Sequence, residues 1–494
     1  MSDSRFNRLN DRELLHTQAF IDGAWTEASD NAKFSVIDPS TSKEIGTVPD
    51  MDAEDTRRAI AAAHQAFGTW RKATTVQRNS VLSKLSKLLA EHKEDLATIN
   101  TLESGKAIGE VEYAQSFGDW FAEEAKRIYG DVIQASSPEQ RYMVIRQPVG
   151  VCGVITPWNF PLVLVVCKVS AALAAGCTVV IKPAPETPYT ALALAELAIR
   201  AGVPKGVINV ITTSKHIKEV GQELCTNSLV RKIAFTGSIN TGKHIMQQCA
   251  TGVKRVLLEL GGNAPFIVFD DADIEAAVEG LIGNKLHNAG QVCVAPNRIY
   301  VQSGIHEKFS QFLVHRLKCL RMGNGFDDEV QIGPMISEHA RRKVLGQIED
   351  AVKRGGRVLL DGRQKEVDDP SYADGFFLFP TVISEISADA LVNREETFGP
   401  LLAINVFSTE EEAIALANNT NAGLAAYLYT NNVNRIFRMS EAIEAGAVNV
   451  NGGMALDAAT PMNGVKESGI GVEGSKYGVE EYMNKKLIAI GIEN

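Results

Sequence analysis

The chain has 494 residues, of which 45% are hydrophobic and 22% charged, and a formal net charge of −10. That length exceeds one simple core, so two or three domains are expected. The acidic balance, with no basic run to offset it, argues against a nucleic-acid partner.

The N-terminal stretch "MSDSRFNRLNDRELLHTQ" has no apolar signal core and is too acidic for a transit peptide. Seven scattered cysteines, none spaced as CxxC, indicate neither a disulfide framework nor a zinc site. A reduced, cytoplasmic protein with no metal and no membrane partner is the expectation. "QAFIDGAWTEA" alternates and predicts a short hairpin. Residues 53–130 carry apolar residues at three- and four-residue steps and predict helices, with Gly105 as a stop. "RYMVIRQPVG" reads as a strand.

From Val151 the pattern becomes a ladder of strands and helices. "VCGVIT", "CTVVIKP", "GVINVIT", "RKIAFTGS" and "RVLLELGG" are strands, with amphipathic or apolar helical runs between them. That alternation predicts an α/β fold with a parallel, doubly wound sheet, which binds ligands at the carboxyl ends of its strands. The longest apolar run, "PLVLVVCKVSAALAAG", is interrupted by Lys168 and is short of a membrane span. A second α/β series follows "NAPFIVFDD", and the tail "EYMNKKLIAIGI" is a strand with no obvious partner in its own domain.

One G-x-G-x-x-G occurs, "GIGVEG" at 469–474, but it follows a loop and opens no helix, so it reads as a chance match. "FTGSINTG", with Gly237 and Gly242, follows a strand and opens a helix. Glycines there allow backbone N–H groups to approach a phosphate at a helix N-terminus, although a structural turn explains the bare pattern too. Cys293 in "NAGQVCVAP" is, by itself, more readily a small packing residue than a nucleophile.

Six stretches occur together in order: "ITPWNFP", "KPAPETP", "FTGS", "LELGGNAP", "NAGQVC" and "EETFGP". On these the chain resembles the aldehyde dehydrogenase superfamily over essentially its whole length. It is most similar to the succinate-semialdehyde dehydrogenase branch, through "WFAEEAKRIYGD", "ALALAELAIRAGVP", "LGGNAPFIVFDDAD" and "EGSKYG". The resemblance implies a Rossmann-like cofactor domain (1–130 and 151–261), an α/β catalytic domain (262–458) and a β-strand oligomerisation arm (131–150 and 459–494). It also implies a homodimer or homotetramer.

The same resemblance implies the chemistry. Cys293 matches the nucleophile that forms a thiohemiacetal with an aldehyde, and Asn159 matches the side-chain donor to its oxyanion. A helix cap is the structural alternative for Asn159. Glu259 matches the base that activates water on the thioester, which favours a free acid over a coenzyme A ester. For NAD or NADP, Lys182 matches the adenine-ribose contact, Glu396 and Phe398 match the nicotinamide-ribose contact and the support of its ring, and Trp158 and Ser238 match other cofactor-side positions. Pro185 stands where NAD-preferring relatives place a ribose-binding glutamate, which leans slightly toward NADP tolerance, with Glu186 beside it and Lys215 nearby.

Departures from the pattern concern the substrate. Cys167 and His287 occupy positions where semialdehyde-oxidising relatives hold the distal carboxylate with arginines, and neither binds carboxylate in that bidentate way. Val163, Leu164, Met454, Leu456 and Met462 complete an apolar lining, and Met462 and Asn463 replace the phenylalanine and first glycine of "PFGG". These residues predict oxidation of an uncharged aliphatic or aromatic aldehyde. A succinate-semialdehyde dehydrogenase, a coenzyme-A-acylating enzyme, or a non-catalytic binding protein on the same fold are the alternatives.

Overall fold

The computed structural model describes residues 4–106, 111–453 and 457–492. Ala19–Ile21 and Ala24–Thr26 form the expected hairpin, turned at Asp22 and Gly23. Helices Ala53–Trp70, Thr75–Glu91, Lys93–Ser104 and Val111–Glu124 follow. Gly105 ends the third in a left-handed conformation, where a side chain would also collide with Pro334 and Pro39.

Five parallel strands make the centre of an eight-stranded sheet, in the order Ile208–Val210, Thr178–Lys182, Val151–Ile155, Val230–Thr236 and Arg255–Glu259. The order reverses direction between Val151–Ile155 and Val230–Thr236, so the loops "TPWNF" and "GS" flank the switch point where such sheets bind ligands. Every residue of helix Pro161–Ala175 is buried, which explains its continuous apolar run. Proline at its start and left-handed Gly176 at its end fix its limits. No helix among the described residues is long and apolar enough to cross a membrane.

The second series forms a seven-stranded sheet built on parallel strands Thr381–Ser384, Leu401–Phe407, Pro296–Gln302, Ala264–Val268, Ala425–Tyr429 and Ala447–Val450. The tail strand Met483–Gly491 pairs antiparallel with Gln140–Pro148 over nine residues, and Asp131–Ile133 completes a three-stranded sheet.

Three details differ from the sequence reading, the first being that helix Ser475–Glu480 opens directly after "GIGVEG", with Gly474 as its N-cap. Helix Ile239–Ala250 starts before Gly242, which therefore lies inside its first turn. "GIGVEG" is not merely a loop: Gly469 and Ile470 add an antiparallel edge to Arg255–Glu259, opposite Glu259 and Leu258.

Candidate active site

Cys293 follows a backbone segment under strain. After helix Ile274–Lys285, Asn288 (φ 48°) and Ala289 (φ 53°) are left-handed, followed by Gly290 at φ 80°. Left-handed geometry costs a side-chain-bearing residue roughly 1–2 kcal/mol. Gly290 is required sterically, because a Cβ there would lie 2.3 Å from the Gly399 carbonyl oxygen. Hydrogen bonds hold the segment. Asn288 Nδ2 donates to the Asn159 carbonyl (3.1 Å), and Gln291 Nε2 donates to the carbonyls of Asn288 (3.0 Å) and Pro334 (3.2 Å). The half-buried Cys293 thiol is pushed up to about 12 by burial and by the carboxyl groups of Glu396 and Glu259.

Asn159 is buried between strand Val151–Ile155 and helix Pro161–Ala175. It makes no cap: Phe160 is the N-cap, without a side-chain bond. Instead Asn159 Nδ2 donates to the Gln291 carbonyl at 3.0 Å, which ties it to the cysteine segment and leaves its second N–H for another acceptor. Its own carbonyl also accepts from Lys106 Nζ at 2.7 Å.

Glu259 ends its strand between Thr236 and Gly469. Its carboxyl is buried, Oε1 has no hydrogen-bond partner, and burial followed by the nearby Glu473 holds it protonated well above the usual range. The "LELGG" glycines have steric roles. A Cβ on Gly261 would lie 2.6 Å from Glu396 Oε2, and one on Gly262 would lie 2.4 Å from the Cys293 carbonyl oxygen.

Sequence reasoning missed the buried ion pair beside this carboxyl. Lys168 Nζ lies 2.5 Å from Glu473 Oε1 and from Thr236 Oγ1, and Cys167 Sγ lies 3.9 Å from Glu473 Oε2. Glu473 belongs to "GIGVEG" and is held by reciprocal 2.8 Å backbone bonds with Met462. The lysine that interrupts an otherwise apolar helix was the available signal, since a buried cation needs a partner.

A cavity of about 250 Å³ leads to Cys293. Val163, Leu164, Cys167, His287 and Met462 line it, as expected, together with Phe117, Phe160 and Glu473. His287 is exposed at the rim and stacks on Phe160, with ring centroids 5.6 Å apart. An adjoining recess shares Tyr113, Phe117, Val294 and Met462 and adds Asp457 and Asn463. Among the described residues that line either space there is no lysine or arginine. Met454 and Leu456 lie outside the described residues.

Lys182 ends its strand, buried; its carbonyl accepts from Thr156 N (3.2 Å) while its ammonium has no hydrogen bond among the described residues. Burial lowers its ammonium to about 8, against the pull of Glu186. Pro185 is half-buried and Lys215 exposed. Ser238 caps helix Ile239–Ala250 by accepting from Thr241 N. The two glycines have packing reasons of their own. Gly237 N donates to the Glu259 carbonyl, and Gly242 faces Leu260, whose side chain would lie 2.5 Å from a Cβ. Glu396 Oε1 accepts from Gly262 N (3.0 Å), and burial raises its carboxyl to about 7. Phe398 meets Trp158 edge to face, centroids 5.5 Å apart.

Comparison with known proteins matches this arrangement. The model of the aldehyde dehydrogenase family matches residues 25–488. A succinate-semialdehyde dehydrogenase [NADP(+)] of Escherichia coli is 48% identical, covering 98% of this chain and all of the relative. A glutarate-semialdehyde dehydrogenase of Pseudomonas putida is 48% identical with the same coverage. A crystal structure of betaine aldehyde dehydrogenase from Staphylococcus aureus in complex with NAD+ superposes with a TM-score of 0.95 at 36% identity, covering 99% of this chain and 97% of that one. With a family match over most of its length and relatives at nearly half identity along the rest of the fold, the chain belongs to the aldehyde dehydrogenase family.

Proposed function

We propose that the protein oxidises an uncharged aliphatic or aromatic aldehyde to its carboxylic acid with NAD or NADP. The residues fit such a cofactor. Lys182 presents a buried, unpartnered ammonium at the strand end where ribose hydroxyls would reach it, and Trp158 and Phe398 flank the approach to Cys293. When bound, the nicotinamide ring accepts the hydride.

The protein's own residues do the rest. The Cys293 thiol passes its proton to solvent, where it is the proton released overall, as sulfur attacks the aldehyde carbon and gives a thiohemiacetal oxyanion. The free N–H of Asn159 and the backbone N–H of Cys293 hold the oxyanion. Once hydride has left, a thioester remains on Cys293. Glu259, after giving up its own proton, acts as the carboxylate that takes a proton from water as that water attacks the thioester, and it passes that proton to the departing sulfur, so the carboxylic acid leaves with the thiol restored. The balance is aldehyde, water and oxidised cofactor to acid, reduced cofactor and a proton. Pro185 places no carboxylate against a 2′-phosphate, while Glu186 stands next to it, so both cofactors are expected to serve.

The observation that carries the choice of substrate is the cavity wall: aromatic and aliphatic groups, two acids (Glu473 and the adjoining Asp457), an imidazole at the rim (His287) and, among the described residues, no lysine or arginine to receive a carboxylate. A charge-assisted hydrogen bond contributes about 1.5–3 kcal/mol, so its absence costs an anionic aldehyde about ten- to hundredfold in kcat/KM. Initial rates with hexanal, benzaldehyde and succinic semialdehyde test this. Neutral aldehydes should lead by at least about tenfold. A lead for succinic semialdehyde would overturn the reading and give the site to the chemistry named for the semialdehyde-oxidising relatives.

A further inference from the structure

Lys285 is the last residue of helix Ile274–Lys285 and is completely buried. Its ammonium donates to Asn297 Oδ1 at 2.8 Å and to the Thr397 carbonyl at 3.3 Å. Both acceptors are neutral, and no carboxylate of the described residues lies within ion-pair distance. Burying a cation against neutral partners is costly, so its position calls for a reason.

Thr397 supplies one. It sits between Glu396 and Phe398, the two residues placed on the nicotinamide side of the site. The segment is gripped from two directions. Lys343 Nζ (3.1 Å) and Gln347 Nε2 (3.4 Å), both from helix Glu338–Lys353, hold the Glu396 carbonyl, and Lys285 holds the next carbonyl along. We propose that Lys285 is a positioning residue for the nicotinamide end of the cofactor site, fixing the Thr397 peptide between Glu396 and Phe398.

This rests on the reading that Glu396 and Phe398 meet the cofactor. The charged groups facing Glu396 are Lys343 and Lys285, and Cys293 feels Glu396 in turn. Lys285 feels Glu396 alone. Burial brings the Lys285 ammonium down to about 7 and the Glu396 carboxyl up to about 7, so both change protonation in the same range. Removing the Lys285 charge therefore raises Glu396 further.

The test is direct binding of NADH and NADPH by fluorescence titration from pH 6 to 9, on wild type, Lys285→Met and Lys285→Gln. Wild-type affinity should rise with pH as Glu396 ionises. Both variants should bind about tenfold more weakly at neutral pH, with the midpoint moved up by about one pH unit. Glutamine keeps a donor but not the charge, and it serves if the methionine variant does not fold. Wild-type affinity and midpoint in either variant, whatever its melting temperature, would overturn the role of Lys285. A wild-type protein that binds neither nucleotide would instead overturn the cofactor reading.

Discussion

Cys293 and Glu259 share a condition set by burial: both groups are pushed up from their ordinary ranges, the thiol to about 12 and the carboxyl with the help of the nearby Glu473. Alkylation of Cys293 by iodoacetamide without cofactor should therefore keep accelerating with pH up to at least pH 9, with no plateau near neutrality. Glu259→Gln should still transfer hydride once. A rapid-mixing trace should show a burst of one equivalent of reduced cofactor, then steady turnover about 10²–10⁴-fold slower, because water lacks its base. Glu396 permits a prediction on stability. Its carboxyl is at about 7 in the fold against an ordinary 4.5, so the folded state binds more protons between those values. Stability that is present below pH 4.5 is thus lost as pH rises to about 7. Glu396→Gln should melt higher than wild type at pH 8, by at most about 3 kcal/mol, and match it at pH 4. The candidate residues Cys293, Asn159 and Glu259 could be named from the sequence because each sits in a local motif. Lys168, Glu473 and Lys285 were not, because each acts through a partner distant in the chain: Lys168 and Glu473 are 305 positions apart, and Lys285 reaches Thr397.

At the level of elements, the strands and helices from Val151 onward follow their hydrophobic periods closely, since both sheets are buried on both faces. The edge formed by Gly469 and Ile470 was not legible, because two residues carry no period. Yet that edge sets Glu259. A Cβ on Gly469 would lie 2.2 Å from the Leu258 carbonyl oxygen. Gly469→Ala should lower kcat about ten- to hundredfold by moving the carboxyl, and leave Cys293 alkylation as in wild type.

For the molecule as a whole, the three-stranded sheet leaves Val132, Ile133, Leu487 and Ile490 exposed. Exposed apolar side chains grouped on one small sheet suit contact with a second copy of the chain, as the expected homo-oligomer requires. Sedimentation should give a multiple of 53.5 kDa, and Leu487→Asp should shift it toward the single chain. The resemblance predicted the tail strand's partner, Gln140–Pro148, whereas the sequence alone showed only a strand with no partner in its own domain. The bonds joining Asn159 to Gln291 and Asn288 have a consequence for traffic. They bridge the two large sheets through the oxyanion donor itself, so the cleft cannot swing open without dismantling the chemistry. The aldehyde therefore has to fit the cavity of about 250 Å³ as it stands, and the enzyme should discriminate by girth at the carbonyl end far more sharply than by the length of whatever trails behind.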